Sequence, residues 1–390
     1  MIRRAIRAAS AFAGGLRAPA SPNARRCSML PLAAICAFTP VLLVGCADGS
    51  LTDVEANEPA VVAAESPTLQ YVARTREAPA RIVVRVADST GRPLTRHRVQ
   101  FSATVGALEI ATGSVRTDSA GRARLPQWLV REQRAYQVDV RVNSGAPLSF
   151  RVLSLPAEIL GGPTAQACPL LDQRLPHFPN LSSTISRLSR GDPLTIVALG
   201  SSSTFGTGLD ARELAYPAQL QAMLQRVFPR SAITVVNAGV PGNTAADLDA
   251  RLDADVLATN PQLVVLQTGT NDALRRVPLD SLRAITARTI LRFQARGIDV
   301  VLLDPQRFAG AGETDEFRMY VDAVTATAEA NGVGTAHRYG WMTAVINARR
   351  YTMGELLTAD GLHQSALSHL CTAHLLTTGI GVAMIESGSR

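Results

Sequence analysis

LTIVALGSSSTFGTG, residues 194–208, is the stretch from which the rest of the chain can be read. Thr195 and four apolar residues, Ile196 to Leu199, run straight into Gly200, three serines and two further glycines. A buried strand that ends in glycine and serine and passes into a helix is how an open α/β sheet lifts a nucleophile to its carboxyl edge. By itself the stretch equally suits a Ser/Gly-rich loop that only turns the chain. The residues downstream separate the two.

From that strand onward, β-type and helical patterns alternate. Apolar spacing predicts a helix over 211–228, stopped by Pro229, a strand over 232–236, a loop over 237–244 and a helix over 245–257. Strand 263–267 then leads to a loop at 269–272, helix 279–296 ends at Gly297, and strand 298–303 follows. A helix over 315–330, a weaker strand near 334–337, a short helix near 341–348 and a final helix from Ser365 close the chain. Repeated βα units of this kind require a parallel sheet covered on both faces.

Four short runs near strand ends, or just before the last helix, carry the chemistry. They are Gly200-Ser201-Ser202-Ser203, the run Asn237 to Thr244 (NAGVPGNT), Gly269-Thr270-Asn271-Asp272, and Asp360-Gly361-Leu362-His363. Their order and contents resemble the SGNH (GDSL-type) hydrolases, over about residues 192–380. The resemblance implies a flavodoxin-like, three-layer α/β fold and an esterase, lipase, thioesterase or carbohydrate deacetylase activity. It places the nucleophile on Ser202 and an oxyanion hole on the backbone N–H of Ser202, the backbone N–H of Gly242 and the side chain of Asn271. It puts the base and its carboxylate on His363 and Asp360. The chain departs from the family pattern at Ser201, where the family has an aspartate outside its triad, and at Asn243, where aspartate is frequent.

The chemistry stands on the residue types as well. A serine hydroxyl is a weak nucleophile until a base takes its proton, and His363 is the natural base. A carboxylate three residues earlier can accept the other imidazole N–H and hold the tautomer. Backbone N–H groups and an asparagine amide then stabilise the developing oxyanion, each donor being worth about 3 kcal/mol in the barrier.

Other titratable residues fit plainer roles. His369 and His374 lie in the last helix without an Asp-x-x-His context and read as structural; His97, among arginines, reads as part of a solvated face. Asp272 suits a helix-capping role. Asp304, at the end of the fourth strand, is the rival carboxylate by position, although DPQR also reads as a turn. No His/Cys cluster has metal-ligand spacing and no phosphate-binding glycine motif is present, so no cofactor is expected. The loop 306–313 beside the expected site carries no readable specificity code.

The N-terminal 45 residues read as a secretory signal: the Arg25-Arg26 pair, an apolar run over 29–44, and then Cys46. The ending Leu43-Val44-Gly45-Cys46 resembles the bacterial lipoprotein lipobox, which implies lipid on Cys46 and an exported, membrane-anchored protein. Six arginines and no acid precede Cys46, so removing those six from the net charge of +7 leaves +1. The basic pI therefore gives no support to a nucleic-acid partner. Residues 46–79 lack periodicity and read as a flexible tether. Residues 80–155 switch to period two with GRPL and DSAGR turns, the pattern of a β-sandwich. They resemble bacterial immunoglobulin-like domains of the invasin type, a spacer or adhesion module. Residues 156–191 read as a linker in which Asn180 caps a short helix over 181–190, and 192–382 as the hydrolase domain. With Cys27 and Cys36 removed and Cys46 lipidated, Cys168 and Cys371 remain, a candidate disulfide in an exported protein.

The expectation is thus a cell-envelope serine esterase whose substrate is a small acyl ester or an O-acetylated glycan. A lipase, thioesterase or acyltransferase of the same fold stays open, as does a catalytically silent glycan-binding or adhesion lipoprotein.

Overall fold

The computed structural model describes residues 60–73, 81–105, 108–125, 134–169 and 176–388. The signal read over 1–45, with Cys27 and Cys36, and the lipidation position Cys46 lie outside the described residues.

Among the described residues, the N-terminal part is all β. Its described strands are β1 (Ala60–Ala64), β2 (Leu69–Ala73), β3 (Val83–Asp88), β4 (Arg98–Val105), β5 (Leu108–Arg116), β6 (Arg122–Arg124), β7 (Ala135–Arg141) and β8 (Leu148–Leu155). One sheet has the order β1-β3-β6 and the other β2-β8-β7-β4-β5, with every pairing antiparallel except β2 with β8. Alternation builds the core between them. Val84 and Val86 point in from the first sheet, and Val99, Phe101, Val138, Val140, Phe150 and Val152 from the second. Strands β1 and β2 fall within 46–79, so that stretch is not a tether throughout; each supplies a sheet with an extra strand. His97 is also buried, not solvated, its backbone N–H donating to Thr117 Oγ1 at 2.8 Å.

The described residues of 156–191 are largely helical: α1 (Ala157–Leu160), α2 (Gly162–Ala167) and α3 (Ser182–Arg190). Asn180 does not cap α3. It adopts φ 61° and its amide donates to Gly332 O at 2.8 Å. Asp299 does the capping from the sheet, accepting from the backbone N–H of Thr184 at 2.7 Å and of Ser183 at 3.4 Å.

The C-terminal part is a five-stranded sheet, β9 (Leu194–Gly200), β10 (Ile233–Gly239), β11 (Leu263–Gln267), β12 (Asp299–Leu303) and β13 (Gly334–Ala336), in the order β10-β9-β11-β12-β13 and parallel throughout. Its helices are α4 (Ser202–Phe205), α5 (Tyr216–Val227), α6 (Ala245–Ala250), α7 (Leu252–Asp255), α8 (Thr270–Leu274), α9 (Leu279–Gln294), α10 (Asp315–Ala330), α11 (Arg338–Asn347), α12 (Met353–Leu356) and α13 (Ala366–Ser387). The central strand shows why three layers form. Ile196 and Ala198 pack with α3, α5 and α13 on one face, while Val197 and Leu199 pack with α6, α7, α9 and α10 on the other. Apolar on both faces, β9 can only be an interior strand.

Helix α13 is apolar and long enough to cross a membrane, yet it is buried within the protein as a core helix. Its Val382 and Ile385 meet Leu153 and Leu155 of β8 in an apolar cluster with Ala135 and Ile159. The β-sandwich is therefore seated on the far end of the helix that the His363 loop leads into.

Candidate active site

The four runs converge at the carboxyl edge of β9, β10 and β11, where open α/β sheets place their ligands. Gly200 ends β9 and pairs with Gly239 at the end of β10. No side chain fits at Gly239, because a Cβ there would collide with the backbone of Phe205 as α4 crosses it. Arg251 fastens the two strand ends, donating from Nη2 to Gly200 O at 2.9 Å and to Ala238 O at 2.7 Å, and from Nε to Asn243 Oδ1 at 2.7 Å. The amide at position 243 thus serves as an acceptor for arginine, the part an aspartate would play.

The three serines of the first run differ in their surroundings. Ser201 is buried; its hydroxyl donates to Gln267 Oε1 at 3.1 Å and its backbone N–H to the same atom at 2.8 Å. Ser203 is buried and donates to Gln306 Oε1 at 3.0 Å. Ser202, the first residue of α4, is half-buried, and its hydroxyl makes no hydrogen bond among the described residues. Its flanking hydroxyls are spent; its own is free.

In the second run, Gly242 takes φ 83°, a left-handed conformation suited to glycine. Its carbonyl accepts from Arg275 Nη2 at 2.8 Å, and its N–H has no acceptor among the described residues. In the third run, the Asn271 amide donates to Asn243 O at 2.8 Å, which orients it and leaves its second N–H unspent. Asp272 is buried behind it and accepts from the N–H of Ala245 at 3.0 Å and of Gly269 at 3.3 Å. It therefore caps α6 as well as its own helix. Burial pushes its carboxyl up, against the pull of those backbone N–H groups.

In the fourth run, His363 Nδ1 lies 2.6 Å from Asp360 Oδ2. Oδ1 of the same carboxylate accepts from the N–H of Leu362 and of His363, each at 2.9 Å, and from Thr358 Oγ1 at 2.8 Å. Desolvation pushes this carboxyl up, but the hydrogen bonds from His363, Leu362 and Thr358 outweigh it and hold Asp360 well below the usual carboxylate range. No hydrogen bond joins Ser202 to His363, a contact that is often loose until substrate is bound.

Asp304 sits elsewhere in the network. It is fully buried, with Oδ1 accepting from the Tyr339 N–H at 3.1 Å, and burial raises its carboxyl to about 7 despite the nearby Arg338 guanidinium. Arg338, itself buried, donates to the Asp304 carbonyl and to Gln364 Oε1. His369 accepts from the Tyr216 N–H at 3.1 Å. Cys168 and Cys371 form a disulfide with Cα atoms 5.1 Å apart.

Sequence reasoning missed Gln267 and Gln306. Gln267 ends β11, and its Oε1 also accepts from Thr204 Oγ1 at 3.1 Å. A polar residue closing an otherwise apolar strand was the available signal. Gln306 stands in a loop without periodicity and offered none.

Fold and site together define a serine ester hydrolase of the SGNH type. Residues 167–386, more than half of the chain, match the Non-GDSL lipase-like family, and the chain belongs to that family. It is 29% identical over 199 residues to the acetylxylan esterase of Geobacillus stearothermophilus, covering 48% of this chain and 87% of that protein. It is 37% identical over 79 residues to the uncharacterized lipoprotein YqeF of Bacillus subtilis strain 168, covering 20% of this chain and 32% of that one. The solved structure of Axe2, an acetylxylan esterase from Geobacillus stearothermophilus, superposes with a TM-score of 0.42 at 25% identity, over 48% of this chain and 94% of that chain.

Proposed function

We propose that the protein is an exported esterase that removes O-linked acetyl groups from a glycan through an acyl-enzyme on Ser202. The observation that carries this reading is the 2.6 Å pairing of His363 Nδ1 with Asp360 Oδ2, on the loop that Gln306 ties to the Ser202 turn. With Nδ1–H held by the carboxylate, Nε2 is the basic atom. It takes the Ser202 proton as Oγ attacks the acetyl carbonyl carbon. The N–H groups of Ser202 and Gly242 and the free N–H of the Asn271 amide receive the oxyanion. The intermediate collapses, the ester bond breaks, and His363 returns the proton to the departing sugar oxygen. Water, deprotonated by His363, then releases acetate and restores Ser202.

The acetylated-glycan substrate rests on the acetylxylan esterase relative, of which 87% of the length is matched. Export and a lipid on Cys46 rest on the signal-like N-terminus, the lipobox resemblance and the lipoprotein relative. The two-sheet N-terminal region supports an immunoglobulin-like spacer between anchor and enzyme.

The test is hydrolysis of a short activated acetate ester and of acetylated xylan by the purified protein. Ser202→Ala should abolish both activities; equal rates for variant and wild type would falsify the assignment. Faster turnover of long-chain acyl esters than of acetyl esters would overturn the substrate reading while keeping the nucleophile.

A further inference from the structure

Gln306 lies three residues beyond the end of β12 and is almost fully buried. A buried amide is costly unless its donors and acceptor are matched, and the partners of this one are not scattered. Its Oε1 accepts from Ser203 Oγ at 3.0 Å and from Thr270 Oγ1 at 3.2 Å, and its Nε2 donates to Leu362 O at 3.3 Å. Each partner is the immediate chain neighbour of a site residue: Ser203 of Ser202, Thr270 of Asn271 and Leu362 of His363.

The polarity of the amide is forced. A backbone carbonyl can only accept, so the NH2 end must face Leu362 and the oxygen must face the two hydroxyls. Ser203 and Thr270 are thereby locked as donors, and the hydroxyl beside the nucleophile is withdrawn from competition with it.

The His363 loop makes few bonds to the rest of the protein. Most of its contacts are internal: Thr358 N–H to His363 O at 2.8 Å, and the bonds to the Asp360 carboxylate. Bonds to the outside are Gln306 to Leu362, the Ala309 N–H to Gly361 O at 3.2 Å, Arg338 Nη1 to Gln364 Oε1 at 2.7 Å, and Gln364 Nε2 to Thr372 Oγ1 at 3.3 Å. Among these four partners, Gln306 alone also bonds to the nucleophile turn.

We propose that Gln306 is a positioning residue, one amide that sets the distance between the Ser202 turn, the Asn271 run and the His363 loop. The proposal rests on the catalytic reading of Ser202 and His363 given above. It acts through Ser203, Thr270 and Leu362 and touches no substrate.

Two variants test it. Gln306→Met keeps the length and removes all three bonds. Gln306→Glu keeps the acceptor for the two hydroxyls and, when ionised, loses only the donor to Leu362. On a short acetate ester, both should lower kcat by about 10²-fold, the cost of a misplacement near 1 Å. KM should stay within about twofold, because ground-state binding is untouched. The low-field NMR signal of the proton between His363 Nδ1 and Asp360 should shift or broaden in both, a readout that a merely structural residue would not move in a folded protein. Adding Ser203→Ala to Gln306→Met should cost nothing further, since both changes break the same link.

A folded Gln306→Met with kcat within threefold of wild type and an unshifted proton signal would overturn the proposal. Failure of both variants to fold would overturn it equally, making Gln306 a core residue. The two readings fail separately. Activity retained in Ser202→Ala removes the site assignment itself, whereas an inactive Ser202→Ala beside a fully active Gln306→Met removes only the positioning role.

Discussion

His363 Nδ1 and Asp360 Oδ2 lie 2.6 Å apart, and Oδ1 of that carboxylate simultaneously receives the backbone N–H groups of Leu362 and His363. One carboxylate therefore folds the loop and orients the ring that the loop carries. The side chain of His363 is 15% exposed and that of Asp360 47%, so the imidazole is the better shielded of the two. Hydrogen bonds from His363, Leu362 and Thr358 keep the carboxylate ionised against its partial desolvation.

Asp360→Asn should lower kcat by about 10²- to 10⁴-fold, because an amide favours the wrong tautomer of the imidazole. Asp304→Asn should leave kcat within a few-fold, since an amide oxygen can still accept from the Tyr339 N–H and the carboxyl there makes no bond to His363. Steady-state kinetics on one acetate ester separates the two carboxylates. A larger loss at 304 than at 360 would reverse their roles.

Asn271→Ala should cut kcat by about 10²- to 10³-fold with little change in KM, the pattern of a donor used only when the oxyanion forms. The same change frees the Asn243 carbonyl, which the amide now holds at 2.8 Å. A rise in KM with kcat intact would instead place Asn271 in ground-state binding.

The parallel sheet was legible because its strands are apolar on both faces and its helices carry a 3.6-residue period; 194–199 and 263–267 read directly as buried strands. The site runs were legible because each closes a strand or precedes a helix. Hidden from that reading were residues whose meaning is long-range. Asn180 looked like a cap by its chemistry, but the cap of α3 comes from Asp299, more than a hundred residues away. β1 and β2 were hidden too, being short and unbalanced strands that gain their place only by pairing with β3 and β8. His97 shows the converse: flanking arginines suggested solvent, while its place just before β4, in phase with buried Val99 and Phe101, leaves it buried.

Acid should destabilise the fold well above the carboxylate range. His369 and His374 are buried in α13, and burial lowers them to about 3 and about 4 from an ordinary 6.5. Between pH 6.5 and those values the unfolded chain binds protons that the folded one does not, so stability falls as pH drops through this window. For each histidine, every tenfold by which folding weakens proton binding corresponds to about 1.4 kcal/mol once the window is crossed. Denaturant melts at pH 7, 6, 5 and 4 should show the loss. His374→Leu should make the pH dependence shallower, and because His374 Nε2 is buried with no hydrogen-bond partner among the described residues, this variant should not lose stability at pH 7. An unchanged pH slope in His374→Leu would remove His374 from the account.

The disulfide Cys168–Cys371 closes a loop of 203 residues that contains the whole parallel sheet. Closing so long a loop restrains the unfolded chain, and its removal should cost about 3–5 kcal/mol. The bridge lies in an apolar cluster with Phe308, Trp341, Leu356 and Leu357, beneath the start of the His363 loop. The loop itself is held by hydrogen bonds with Gln306, Ala309, Arg338 and Thr372, none of which involves the sulfurs. The Cys168→Ala/Cys371→Ala double variant should therefore melt at clearly lower temperature yet keep kcat at 25 °C within a few-fold. Dithiothreitol should lower the melting temperature of wild type toward that of the double variant and leave the double variant unchanged. A drop in kcat that tracks the drop in melting temperature would show instead that the bridge tensions the catalytic loop directly.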